Sequence, residues 1–188
     1  TSRPGLVGSL IVGLMTAKTL ALAKNLPFLG VHHIEGHIMA PFLIDESYQG
    51  PDFFNDRFLA LVVRGGHTQL YLVNGFGHYQ VLGQTIDDAA GEAFDKFAKM
   101  LGLPYPGGVE VDKRAALGDP NAYSFPKPLL KDGTSNFSFS GLKSAAQRLI
   151  VAMGDDEIAL RMNDLCASYQ KTIVEVLSTK LAHAIDLT

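Results

Sequence analysis

Apolar and polar positions alternate along the chain in three distinct ways. From Leu6 to Ala23 the large apolar residues Leu6, Leu10, Met15, Leu20 and Leu22 are mixed with small Gly and Ala. Pro4-Gly5 precedes the run, and Asn25 and Pro27 follow it. This predicts a helix from about Leu6 to Lys24, with a small-residue surface suited to close packing on a sheet. Lys18, Gly8, Gly13, Thr16 and Thr19 interrupt the run, which favours a buried helix over a membrane span. The short apolar run Phe28 to His32 predicts a buried strand. His33 to Ile44 then reads as a second helix with Pro41 near its middle or at a break, and Glu46 to Asp56 as a polar loop containing Gly50 and Pro51.

The second pattern is strand-like. Phe58 to Val63, Thr68 to Val73 and Tyr79 to Gly83 are short β-prone runs separated by Gly65-Gly66 and Gly75-Phe76-Gly77. Three antiparallel strands joined by glycine turns are expected. The third pattern is helical again: Ala89 to Leu101, capped by Asp87 or Asp88, then Val109 to Leu117, Ser140 to Ala152 and Asp156 to Asp186. Gly118 to Asn136 carries Pro120, Pro126, Pro128 and Gly133 and reads as irregular. Helix, strand, helix, three strands, then helices is an α/β order with a mixed sheet, and the loop around residues 46–57 is a candidate lobe boundary.

Composition narrows the classes. The 188 residues are 47% hydrophobic and 19% charged, which excludes disordered and collagen-like chains. Sixteen Lys+Arg against 19 Asp+Glu give a net charge of −3, which argues against a stand-alone nucleic-acid clamp but leaves room for a local basic patch. The single cysteine, Cys166, excludes an internal disulfide and a CxxC pair, and fits a reducing, cytoplasmic location. The chain begins Thr1-Ser2-Arg3 without an initiator Met and ends within a helical pattern, so it reads as an internal piece of a longer protein, expected to be inactive and marginally stable alone.

Several residues could carry chemistry. His33-Ile34-Glu35-Gly36-His37 puts two imidazoles at i and i+4, on one helix face, where they can chelate one metal ion if further ligands join. The plainer reading is two unrelated histidines; His32 beside them, among only six in the chain, strengthens the ligand reading. A zinc-protease HExxH motif would need Glu directly after the first His. Glu35 lies two residues on, about 200° round a helix, and faces away. Val62-Val63-Arg64-Gly65-Gly66 ends a strand in a double-glycine turn, which is either a plain hairpin turn or a set of amides for an anion.

Asp87, Asp88, Glu92 and Asp95 open the next helix; the first three suit capping and dipole roles, while Asp95, paired locally with Lys96 and Lys99, is available to a ligand hydroxyl. Pro106-Gly107-Gly108 precedes another helix and offers amides to an anion or ribose, with Asp112 one turn later. Cys166 sits on an apolar helix and reads as a buried thiol. Lys96, Lys99, Lys113, Arg114, Lys127, Lys131, Lys143 and Arg148 read mostly as solvated charges, a share of them within reach of RNA phosphates.

In order along the chain, Pro4 to Leu10, His33 to His37, Gly65-Gly66-His67-Thr68-Gln69-Leu70, Asp87 to Lys96, Tyr105 to Gly108 and Phe137-Ser138-Phe139-Ser140-Gly141-Leu142-Lys143 resemble the bacterial TsaD family. These are tRNA N6-adenosine threonylcarbamoyltransferases, formerly described as O-sialoglycoprotein endopeptidases. The resemblance covers nearly the whole chain, which is similar to the central half of a family member.

The resemblance implies an α/β, two-lobed fold shared with actin, sugar kinases and heat-shock chaperones (ASKHA), incomplete at both ends. Residues 1–56 would form the C-terminal part of the first lobe with its metal-binding helix, and residues 57–188 most of the second. It implies transfer of a threonylcarbamoyl group from threonylcarbamoyl-adenylate to N6 of the adenosine 3′ of the tRNA anticodon, releasing AMP. His33 and His37 would hold one iron or zinc ion, whose third protein ligand lies outside this sequence. Val62, Val63, Arg64, Gly65, Gly66, Asp95, Gly108 and Asp112 would bind substrate, and no residue serves as nucleophile. Implied partners are tRNA, a metal-free paralogous subunit and a small ATPase, with no membrane. Two positions depart from the family pattern: Arg3 where Gly is usual, and Arg64 where Ser is usual. The alternatives are a catalytically silent binding subunit of the same fold, marked by Arg64 but at odds with an intact His pair, and a metalloprotease, disfavoured by the position of Glu35.

Overall fold

The computed structural model describes residues 1–52 and 56–188. The chain divides into two compact units, residues 1–57 with Gly75–His78, and residues 58–74 with 79–188. The expected loop from Glu46 to Asp56 lies partly outside the described residues.

The first unit carries helix α1 (Val7–Lys24) and helix α2 (His33–Met39), which passes into a 3₁₀ turn at Ala40–Phe42. Pro41 lies in the first turn of that segment, where its missing N–H costs nothing, so the sequence break and the structural break coincide. Asn25 ends α1 in the left-handed conformation. Two expectations fail here. No residue of α1 is buried: Val7 and Leu22 are 76% and 85% exposed. Its apolar residues lie all round the cylinder, so no one stripe directs it onto a partner. By length and composition α1 is able to cross a membrane, a criterion that core helices also meet. Phe28 to His32 is extended but is not a strand of a sheet. It makes a single parallel bridge, Arg3 with His32, and Leu29 is 84% exposed. An apolar run becomes a strand only where a partner supplies a ladder.

The second unit is built on a sheet of three antiparallel strands in the order β1 (Phe58–Val63), β2 (Thr68–Val73) and β3 (Tyr79–Gln84). The β1–β2 register pairs Val63 with Thr68 across the Gly65-Gly66 turn. A bulge between Leu70 and Tyr71 shifts the β2–β3 register. Four helices follow: α3 (Ala90–Met100), α4 (Gly107–Ala115), α5 (Ser140–Ala152) and α6 (Asp155–Leu187). A small antiparallel sheet with helices is a mixed α/β arrangement.

The core lies between these helices and the sheet. Leu70, Phe97, Val111, Phe137, Phe139, Leu142, Leu165 and Ile173 are fully or almost fully buried in it. Tyr169 of α6 stands at its centre, its ring stacked on Phe97 of α3 at 3.8 Å. The phenol donates to the Ala93 carbonyl at 3.2 Å, and burial pushes its pKa up. Each large side chain buried this way contributes roughly 1.5–3 kcal/mol. Cys166 is buried as expected, and burial raises its thiol to about 11.

The irregular segment 118–136 is held by buried polar contacts. Lys180 of α6 is buried, and its ammonium donates to Asp132 Oδ1 at 2.6 Å and the Thr134 carbonyl at 2.7 Å. Ser168 accepts from the Tyr123 amide and donates to the Asp119 carbonyl.

Candidate functional site

In the first unit, α2 sets the two motif histidines on one face. Its N-terminus is capped by His32, whose Nδ1 accepts from the Glu35 amide at 3.4 Å. His32 is therefore a cap rather than a third member of the pair. Ile34 and Ile38 are the buried residues of α2, which leaves His33 and His37 toward the outside. Their Nε2 atoms are 3.3 Å apart and the ring planes meet at 69°. Two nitrogens each about 2.0–2.1 Å from one ion would subtend roughly 107°, close to tetrahedral. The pair fits two positions of such an ion. Among the described residues no group of three His, Cys, Asp or Glu converges, so the remaining ligands are not supplied here.

In the second unit α3 brings some of the other predicted residues together, the double-glycine turn at Gly91 and Asp95 one turn on. Val62 is buried in β1 and Val63 is exposed at its end. Arg64 is partly buried, and its amide donates to the His67 carbonyl at 2.9 Å, closing the turn. Gly65 and Gly66 are exposed, with no atom within 4 Å of a Cβ built on either, so the turn faces open space. The turn rests on α3 at Gly91. A Cβ there would lie 2.8 Å from Arg64 C, Gly65 Cα and Gly65 N. Only glycine admits that backbone approach.

Neither Asp87 nor Asp88 caps α3, contrary to the sequence reading. The cap comes from β2: fully buried Thr68 accepts from the Ala90 amide through Oγ1 at 2.9 Å. Asp87 instead caps α5, accepting from the Ser138 hydroxyl at 2.5 Å, the Ser140 hydroxyl at 2.7 Å and the Phe139 amide at 2.8 Å. Partial burial opposes its charge, but these bonds outweigh burial and hold the carboxyl below its ordinary range. Asp88 is likewise lowered, its burial offset by Lys96 and Lys143. The Asp87-Asp88 and Phe137–Lys143 motifs are thus one joint, between β3 and α5. A Ser-x-Ser ahead of a helix with no acid of its own was the only sequence signal for it.

One turn beyond Gly91, Asp95 points to the start of α4, and its Oδ1 accepts from the Gly107 amide at 2.9 Å. This corrects the expected pairing with Lys96, whose partners are Asp88 and Glu92, each at 2.7 Å. Asp95 and Gly107 line a cavity of about 290 Å³, with Leu103, Pro104 and Tyr105. Gly108 and Asp112 do not line it; Asp112 accepts from Gln170 of α6 at 2.9 Å. Gly65-Gly66, Asp95 and Gly107 are therefore brought along one helix, and Asp112 is turned to another. Of the basic residues, Lys96, Lys113, Lys127 and Lys143 are engaged in ion pairs within the protein. Sequence reasoning missed Thr68 and Gly91, because each acts through a neighbour distant in the chain.

A family model described as tRNA N6-adenosine threonylcarbamoyltransferase (TsaD) matches residues 1–188. A protein of that name from Bdellovibrio bacteriovorus is 55% identical over 184 residues, covering 98% of this chain and 53% of that protein. One from Pelobacter propionicus is 54% identical over 188 residues, covering 100% and 53%. One from Geobacter metallireducens is 55% identical over 186 residues, covering 99% and 52%. The chain spans about half the length of the curated relatives it matches.

Proposed function

The chain belongs to the tRNA N6-adenosine threonylcarbamoyltransferase family, and on that premise we propose that the full-length protein transfers the threonylcarbamoyl group of threonylcarbamoyl-adenylate to a tRNA adenosine. N6 forms the new bond to the carbamoyl carbon. The bond from that carbon to the adenylate phosphate breaks, its electron pair leaves with AMP, and the N6 proton passes to water. The observation that carries this reading is the arrangement along α3, where an open double-glycine turn and a carboxylate-held helix start lie one helical turn apart.

The roles follow from what each residue offers. The Gly65-Gly66 turn is exposed on its Cβ side, and we assign this turn to the phosphate, where charge builds as AMP leaves. Val62 and Val63 fix the strand that presents it. Asp95 accepts from Gly107 through Oδ1, and its second oxygen is assigned to a ribose hydroxyl; Gly108 is assigned to the same nucleotide end, which Asp112 would join only on releasing Gln170. Arg64 stands at the phosphate end. His33 and His37 would hold one iron or zinc ion. When bound, such an ion supplies Lewis-acid polarisation of a carbonyl oxygen. The fold proposed for the whole protein is the two-lobed actin and sugar-kinase type. Its location is the cytoplasm, and its partners are a metal-free paralogous subunit and a small ATPase.

The test is a transfer assay on the full-length protein with its partner subunits, threonylcarbamoyl-adenylate and unmodified tRNA. One modified adenosine per AMP released is expected. Adenylate consumption without tRNA modification, under conditions where a relative modifies the same tRNA, would overturn the proposal.

A further inference from the structure

We infer that Thr68 and Gly91 are positioning residues that set the distance between the phosphate end and the ribose end of the nucleotide site. The inference rests on the reading just given. Neither residue is proposed to touch the nucleotide. They act through α3, which carries both ends of the site.

Two contacts fix α3 against the hairpin. Thr68 is fully buried, and its Oγ1 takes the Ala90 amide, a donor that has no partner within its own helix. One residue on, Gly91 lets the Arg64–Gly65 backbone rest directly on the helix, where a Cβ would come within 2.8 Å of three backbone atoms. Backbone cannot swing aside as a flexible side chain would. Four residues further along α3, about 6 Å by helical rise, Asp95 holds the Gly107 amide at 2.9 Å. The hairpin turn and the start of α4 are thus both registered to one rigid helix. If the first joint moves, the phosphate amides shift while the carboxylate stays, and a nucleotide can no longer meet both. Displacements near 1 Å are enough to cost a bound reactant its geometry.

The test measures AMP affinity by calorimetry, alongside thermal melting, on the full-length protein. Thr68→Val keeps the branched shape but removes the acceptor, and is expected to weaken AMP binding about tenfold. Thr68→Ser restores the hydroxyl and should restore affinity. Gly91→Ala should weaken AMP at least as much. Ser168→Ala is the control, since it deletes another buried hydroxyl that bonds backbone, in the 119–123 segment. It should lower the melting temperature and leave AMP affinity unchanged. If Thr68→Val and Gly91→Ala, both folded, bind AMP as the wild type does, or if Ser168→Ala weakens AMP equally, the positioning role is wrong. A wild-type protein that does not bind AMP overturns the nucleotide reading itself, and this inference with it.

Discussion

The two units of this chain place functional residues by different means. In the first, the His33–His37 pair depends on seven residues of helix and two buried isoleucines, while the neighbouring α1 buries nothing. In the second, the double-glycine turn and Asp95 depend on contacts made across the chain. Thr68 reaches Ala90, Gly65 meets Gly91, Asp95 reaches Gly107, and all rest on the core around Tyr169. An i, i+4 pair needs only a helical turn. A nucleotide cradle made of backbone amides and a carboxylate needs tertiary packing to hold its parts in register. The metal pair is therefore expected to withstand damage that destroys the cradle.

The largest effect should come from Tyr169→Ala, which removes a buried ring stacked on Phe97 at 3.8 Å. A loss of about 3–5 kcal/mol is expected, read by denaturant unfolding of the full-length protein. AMP binding should fall with it, while metal content at His33 and His37 persists. Metal lost in parallel with AMP would erase the distinction between the units.

Acid should loosen the second unit. Lys180 and the Thr134 hydroxyl hold Asp132 at about 2, and Ser138 and Ser140 keep Asp87 below its ordinary value. For a lowered carboxyl the unfolded chain takes up the proton first. The stabilisation is full above the ordinary carboxylate range and is lost as pH falls through the folded-state value. Melting followed from pH 5 to about pH 2 should therefore show falling stability, and Asp132→Asn should flatten the slope. An unchanged slope would remove Lys180–Asp132 as a clamp on the 118–136 segment.

The smallest effect concerns Arg64. Its amide closes the turn and its carbonyl carbon packs near Gly91, so the backbone is held whatever the side chain. If the turn is the phosphate end proposed above, the guanidinium would add bulk there, and Arg64→Ser is expected to raise turnover a few-fold by relieving it. Lower turnover would show that the guanidinium binds the phosphate.

What the sequence made legible was the local part of the structure. β1 and β2 were readable to the residue because β-prone runs and glycine turns are decided by neighbours in the chain, and Ser140–Ala152 emerged for the same reason. Phe28 to His32 was misread because an apolar run cannot announce whether a partner strand exists. The caps were misread because Asp87 lies beside α3 in sequence yet bonds residues 51 to 53 positions away. At the candidate site, the histidine spacing and the glycine turn were visible. The bond from Asp95 to Gly107 and the support given by Thr68 and Gly91 were not, since they arise only when helices pack.

If the proposed metal pair and nucleotide cradle are built independently, removing the first leaves the second intact. The decisive measurement is calorimetric titration of AMP into full-length protein carrying His33→Ala and His37→Ala. Metal should be lost while AMP affinity stays within about twofold of wild type, less than 0.5 kcal/mol. A tenfold or greater loss of AMP affinity, in a variant that melts like the wild type, would contradict that independence.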